Sequence, residues 1–206
     1  MSDVHEQMEH AEHVEHAAHS NKKIALVIAI LALFLAFSET LGKGAQTSAL
    51  SKNIEASDLW AFFQAKTIRQ TVMRTAAESE AIGLDTLPDA TKAAMAKQID
   101  TWKKTIERYE TDPESKEGRK ELTERVHATE QLRDLNFAKY ENYEMASAAF
   151  QIGIVLASAS VITGMLALVY GATGLGAIGL AFTGFGLFAP DMLEHLQQMI
   201  EHLHGG

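Results

Sequence analysis

Met145 to Pro190 is a run of 46 residues without one charged side chain, and it restricts the chain to very few architectures. A helix needs about 20 apolar residues to cross a hydrocarbon core about 30 Å thick. The run is therefore long enough to cross, turn and cross back. Tyr170-Gly171-Ala172-Thr173-Gly174 interrupts the aliphatic sequence with two glycines and a threonine. The turn is expected there, between spans at residues 146–170 and 174–189. Glycine recurs in the later span at Gly174, Gly176, Gly179, Gly184 and Gly186. Small residues let membrane helices approach closely, so Gly179 and Gly186 are candidate positions for self-association.

A shorter apolar run lies near the N-terminus. Residues 24–37 are 14 unbroken apolar residues, about 21 Å of helix and slightly short of a crossing. Continuing through Ser38, Glu39, Thr40 and Leu41 to Gly42 supplies the missing length. Lys22 and Lys23 stand at the entry. Glu39 is the one carboxylate inside a proposed span, and intramembrane carboxylates are functional candidates by default. It lies about 22 Å beyond Ile24, close to the far interface, which favours a hydrated carboxylate over an ion path.

Between these regions the pattern is helical and charged. From Lys43 to Gly83, Leu50, Ile54, Ala61, Ala65, Ile68, Val72 and Ala76 fall at mixed three- and four-residue steps, and Trp60, Phe62 and Phe63 widen that surface. The aromatic trio is a candidate interaction surface, although packing on a neighbouring helix is its more ordinary use. Gly83 to Pro88 ends the helix. A second helix is expected over 89–110, carrying Met95, Ile99, Trp102 and Ile106. After the turn at Asp112-Pro113-Glu114-Ser115 and Gly118, a third starts near Arg119. It carries Leu122, Val126, Leu132 and Leu135 and flows through Tyr140 and Tyr143 into the second span.

The expected fold is all-α: an integral membrane protein with three transmembrane helices and a helical hairpin or coiled-coil stalk between spans 1 and 2. In sequence order the parts are a His/Glu-rich tail (1–20), span 1 (21–42), the stalk (43–144), spans 2 and 3 (145–190) and an amphipathic tail helix (191–206). The start lacks the basic region and cleavage site of a secretory signal peptide. Lysines 22, 23 on one side of span 1 and Lys43, Lys52, Arg133 and Lys139 on the other tally two against four. That balance favours a cytoplasmic stalk and C-terminus, with the two termini on opposite sides.

Composition excludes some chemistry. A net charge of −9, with all 18 Lys and Arg between Lys22 and Lys139, argues against nucleic acid as a partner. The absence of cysteine removes disulfides, thiolate metal sites and a thiol nucleophile. No phosphate-cradling loop, nucleophile elbow or zinc-protease motif is present, so no catalytic residues and no enzyme activity are expected. His10, His13 and His16, with Glu9, Glu12 and Glu15, have a spacing that can share a Zn, Ni or Cu ion. Successive three-residue steps rotate by about 60°, however, so three in a row face one ion poorly. A solvated, low-complexity tail without a cofactor is the competing reading. His195 and His202 stand about 10.5 Å apart along a helix, too far for one ion.

The stretch Asp58-Leu59-Trp60-Ala61-Phe62-Phe63-Gln64-Ala65-Lys66-Thr67-Ile68-Arg69 resembles the segment after the first span in an uncharacterised bacterial membrane family, domain of unknown function 4337. Arg108-Tyr109-Glu110 and Phe150 to Ser158 are similar as well. The resemblance covers roughly residues 21–189 and implies three spans with a helical domain after the first. It implies no activity and no catalytic residues. The expected role is a self-associating structural or scaffold protein of the bacterial inner membrane, in contact with lipid and a homo-oligomer or bound to a membrane-protein partner. A metal-handling accessory using the histidine tail and a small oligomeric channel are the alternatives.

Overall fold

A computed structural model describes the backbone of residues 2–192 and the side chains of residues 22–192. The proposed tail helix beyond Met192 lies outside the described residues. Four α-helices and one short 3-10 turn make up the rest: α1 (Ser2–Ile82), the turn Leu84–Thr86, α2 (Asp89–Glu110), α3 (Arg119–Thr163) and α4 (Leu166–Phe188). No strand occurs among the described residues. The described part of α1, together with α3 and α4, is long and apolar enough to cross a membrane. The chain divides into two compact units, one of Met1–Ser48 with Leu135–Gly206 and one of Ala49–Asp134.

The turn between the last two apolar helices is not at Tyr170–Gly174. It is at Gly164, whose φ of +69° ends α3 in the left-handed region, where glycine has no side-chain penalty. The Gly164 N–H donates to the Ser160 carbonyl at 2.9 Å, and the Ser160 hydroxyl donates to the Met165 carbonyl at 3.0 Å. Gly171 and Gly174 sit inside α4 instead. The corrected α4 has 23 residues, about 35 Å of helix, whereas the span read from Gly174 would have been too short.

In the first unit α4 packs through its small residues. A side chain at Gly176 would meet Leu31, and one at Gly179 would stand 2.7 Å from the Phe150 ring. At Gly186 it would stand 2.6 Å from the Tyr143 ring. Phe150 is fully buried and stacks on Phe34 at 6.0 Å between ring centres. Leu31, Ala146, Ala157 and Ala172 complete that core. The Ser38 and Thr183 hydroxyls, both buried, are 2.9 Å apart, and Thr183 also donates to the Gly179 carbonyl.

In the second unit α1 buries Ala49, Ala56, Leu59, Lys66, Gln70 and Ala77, with Phe63 packed alongside. These positions recur at three, four or seven residues, the spacing of one helix face. Leu122 and Val126 of α3 are fully sealed against Leu59. The apolar stripe read from the sequence does share one face, but that face is turned outward. Leu50, Ile54, Ile68 and Val72 are 52%, 63%, 63% and 62% exposed.

Candidate functional site

Two polar constellations are built into these units. The first lies in the second unit, where α1, α2 and α3 meet beside the α2–α3 turn. Asp112 opens that turn, its carboxylate accepting from the Ser115 N–H at 3.1 Å. Hydrogen bonding to Ser115 holds the Asp112 carboxyl below its ordinary range. Gly118 follows because a Cβ there would strike the Asp112 nitrogen and the Glu121 carboxylate. The turn thereby delivers Glu117 and Arg119 to the polar residues of α1.

Lys66, only 6% exposed, donates to the Glu117 carbonyl and lies 3.5 Å from its carboxylate. The ammonium also stands over the Phe62 ring at 4.9 Å and 5.7 Å from the centre of Tyr109. Gln70, 3% exposed, donates to the Ile106 carbonyl at 3.2 Å and to Glu110 Oε2 at 3.0 Å. It accepts from Arg119 Nη1 at 2.7 Å. Arg119 also reaches Glu110 at 2.9 Å and stacks 5.0 Å above Phe63. The Gln70 hydrogen bond outweighs the opposing effect of burial and, with the weaker help of Arg119, holds the Glu110 carboxyl below its ordinary range. Every group here has a protein partner except the buried Arg119 Nε. Such a network clasps three helices together and leaves no reactive group free.

The second constellation is a groove of 420 Å³ in the first unit. Glu39, Lys43 and Gln46 of α1 line it on one side, and Tyr140, Glu144 and Gln151 of α3 on the other. Gly42 forms part of its wall, where a Cβ would meet Tyr143 Cβ at 3.3 Å. Gln151 donates to the Glu39 carboxylate at 3.3 Å. Burial and the neighbouring Glu144 charge raise the Tyr140 hydroxyl above its ordinary range. Carboxylates, an ammonium, hydroxyls and amides in one groove suit a ligand carrying both signs of charge.

Residues singled out from the sequence fall in different places. Glu39 lines the groove. Trp60 and Phe63 pack on the core of Leu59, Leu122 and Val126, with Trp60 donating to Glu130 at 3.1 Å, while Phe62 stays partly exposed under Lys66. Gly179 and Gly186 face Phe150 and Tyr143 of the same chain, so each makes room for a ring within the protomer. The side chains of His10, His13, His16, Glu9 and Glu12, and all of His195 and His202, lie outside the described residues. Among the described residues no group of three or more His, Asp or Glu side chains is placed to hold a metal ion. Lys66, Gln70 and Arg119 escaped sequence reading because buried polar residues break the apolar pattern that marks a packed face.

No curated protein and no solved structure matches the chain. The family profile described as Domain of unknown function (DUF4337) matches residues 20–189, taking in the whole of α2, α3 and the polar clasp and extending one residue beyond α4. With that match spanning most of its length, the chain belongs to the DUF4337 family.

Proposed function

We propose that the chain is a multi-pass inner-membrane scaffold without catalytic activity, and that copies associate through the outer face of α1 in the second unit. The bilayer part of this reading is supported by three helices of sufficient length and apolarity. Leu26, Leu33, Val155, Ile162 and Phe188 stand outward on them, as lipid-facing residues would. One observation carries the association. Leu50, Ile54, Ile68 and Val72 form an uncovered apolar stripe on a unit otherwise rich in charge. Ala61 and Ala65 lie between them and leave room for a second helix to approach.

Contiguous exposed apolar surface on a charged unit marks an interaction site. Fully covering one such side chain is worth about 1.5–3 kcal/mol. Four of them suffice for a specific contact when membrane anchoring has already concentrated the partners. The test is the mass of the full chain in lipid nanodiscs and in mild detergent. Wild type is expected to be oligomeric, and Ile68→Glu with Val72→Glu to be monomeric with unchanged helix content. A wild-type protein that stays monomeric in both settings would remove the proposal.

A further inference from the structure

The groove beside Glu39 is lined by charged and polar side chains, and exposed apolar side chains neighbour its residues along both helices. Phe37 precedes Glu39 by two residues, Met145 follows Glu144 directly, and Ile152 follows Gln151 directly. All three apolar side chains are more than half exposed. The surface thus changes from apolar to charged within one or two residues on both α1 and α3. In the membrane reading proposed above, on which this inference rests, that change marks the depth where hydrocarbon gives way to headgroups.

The groove's carboxylates are held by neutral groups rather than by Lys43, with the Tyr140 hydroxyl bonded to Glu144. Glu39 and Lys43 are one helical turn apart, a spacing that favours an ion pair, but they form none. Glu39 is instead held by the neutral Gln151 amide at 3.3 Å. Two carboxylates and one ammonium therefore line 420 Å³ without cancelling one another. A primary ammonium can donate three hydrogen bonds, which suits Glu39 and Glu144, while an adjoining phosphate suits Lys43. A quaternary ammonium has no N–H to donate, and a purely anionic headgroup would meet two like charges.

We propose that this groove binds a phosphoethanolamine headgroup, with Glu39 and Glu144 receiving its ammonium and Lys43 its phosphate. The experiment uses the full chain in nanodiscs of phosphatidylcholine doped with phosphatidylethanolamine or phosphatidylglycerol. Lipid retained after release into detergent is measured by native mass spectrometry. Phosphatidylethanolamine is expected to be retained about tenfold over either other lipid, equivalent to about 1.4 kcal/mol. Glu39→Gln and Glu144→Gln keep the side-chain shape, and each is expected to remove most of that preference without changing helix content.

Soluble phosphoethanolamine serves as competitor. Displacement of the lipid at millimolar concentration supports headgroup recognition. Binding of the soluble compound with no lipid preference would assign the same chemistry to a free ligand. Equal retention of the three lipids together with no binding of the soluble compound, in a chain that floats with vesicles, overturns the proposal and leaves the membrane reading intact. A chain that fails to float overturns both.

Discussion

The two units solve the problem of holding helices together by opposite means. In the first, α4 brings glycines against rings, with Gly179 on Phe150 and Gly186 on Tyr143. Its polar contacts include Ser38 with Thr183. In the second, the helices meet through Lys66, Gln70, Glu110 and Arg119 as well as Leu59, Leu122 and Val126. The contrast is the one that the membrane reading proposed above would produce. Between helices bathed in apolar solvent, burial gains little over the lipid it replaces, so close backbone approach and shape decide. In a charged, water-facing unit burial supplies the drive, and a satisfied polar network fixes which helices meet and in what register.

The contrast can be broken most sharply at Phe150. Phe150→Ala empties the ring from the seat that Gly179 provides, and is expected to cost about 3–5 kcal/mol. Hydrogen exchange should report the loss in α3 and α4 above residue 135, with the amides of α2 unmoved. Equal loosening of both units would mean that they do not stand independently. In the opposite sense, Gln70→Ala leaves Arg119 and the Ile106 carbonyl short of a partner, at about 1–3 kcal/mol. Exchange should rise in α2 and the adjoining part of α3 while α4 stays protected.

Smaller effects sharpen the picture. Thr183→Val removes one hydroxyl contact to Ser38 and should cost only about 0.6 kcal/mol, the average for such bonds between membrane helices. A loss several times larger in thermal unfolding would make polar contact as decisive in the first unit as in the second. Last comes pH. Glu110 is depressed from its ordinary 4.5, so its contribution is present above that value and fades as pH falls through the lower folded value. The second unit should therefore lose a little stability below pH 4.5, and Glu110→Gln should lose part of that dependence. An unchanged acid profile in the variant would assign the effect to other carboxylates.

Much of the architecture was legible. The uncharged run, the shorter N-terminal run and the three- and four-residue steps led to an all-helical chain with three apolar helices, and the helix expected over 89–110 is α2. The turn was misplaced for a physical reason. A glycine that ends a helix and a glycine inside one look alike in sequence, and Gly171 and Gly174 with Thr173 look more like a turn than the single Gly164 does. The face of α1 was harder still. Leu50, Ile54, Ile68 and Val72 carry the visible apolar signal, while the covered face includes Lys66 and Gln70, whose burial becomes legible only once Glu117, Glu110 and Arg119 are beside them. Glu39 was picked out as a lone carboxylate, but its groove depends on Glu144 and Lys43, more than 100 positions apart in the sequence.

The tight link at Gly164 bears on how such a chain is made. Only Gly164 and Met165 separate α3 from α4, and neither carries charge. The Ser160 hydroxyl satisfies the Met165 carbonyl, and the Met165 N–H reaches the Thr163 hydroxyl at 3.4 Å. For a chain entering a bilayer, the tip of this pair therefore takes little hydration with it, since the usual cost of moving a loop lies in charges and unpaired backbone groups. If the membrane reading proposed above holds, this uncharged tip would let the last two helices enter a bilayer together as one hairpin.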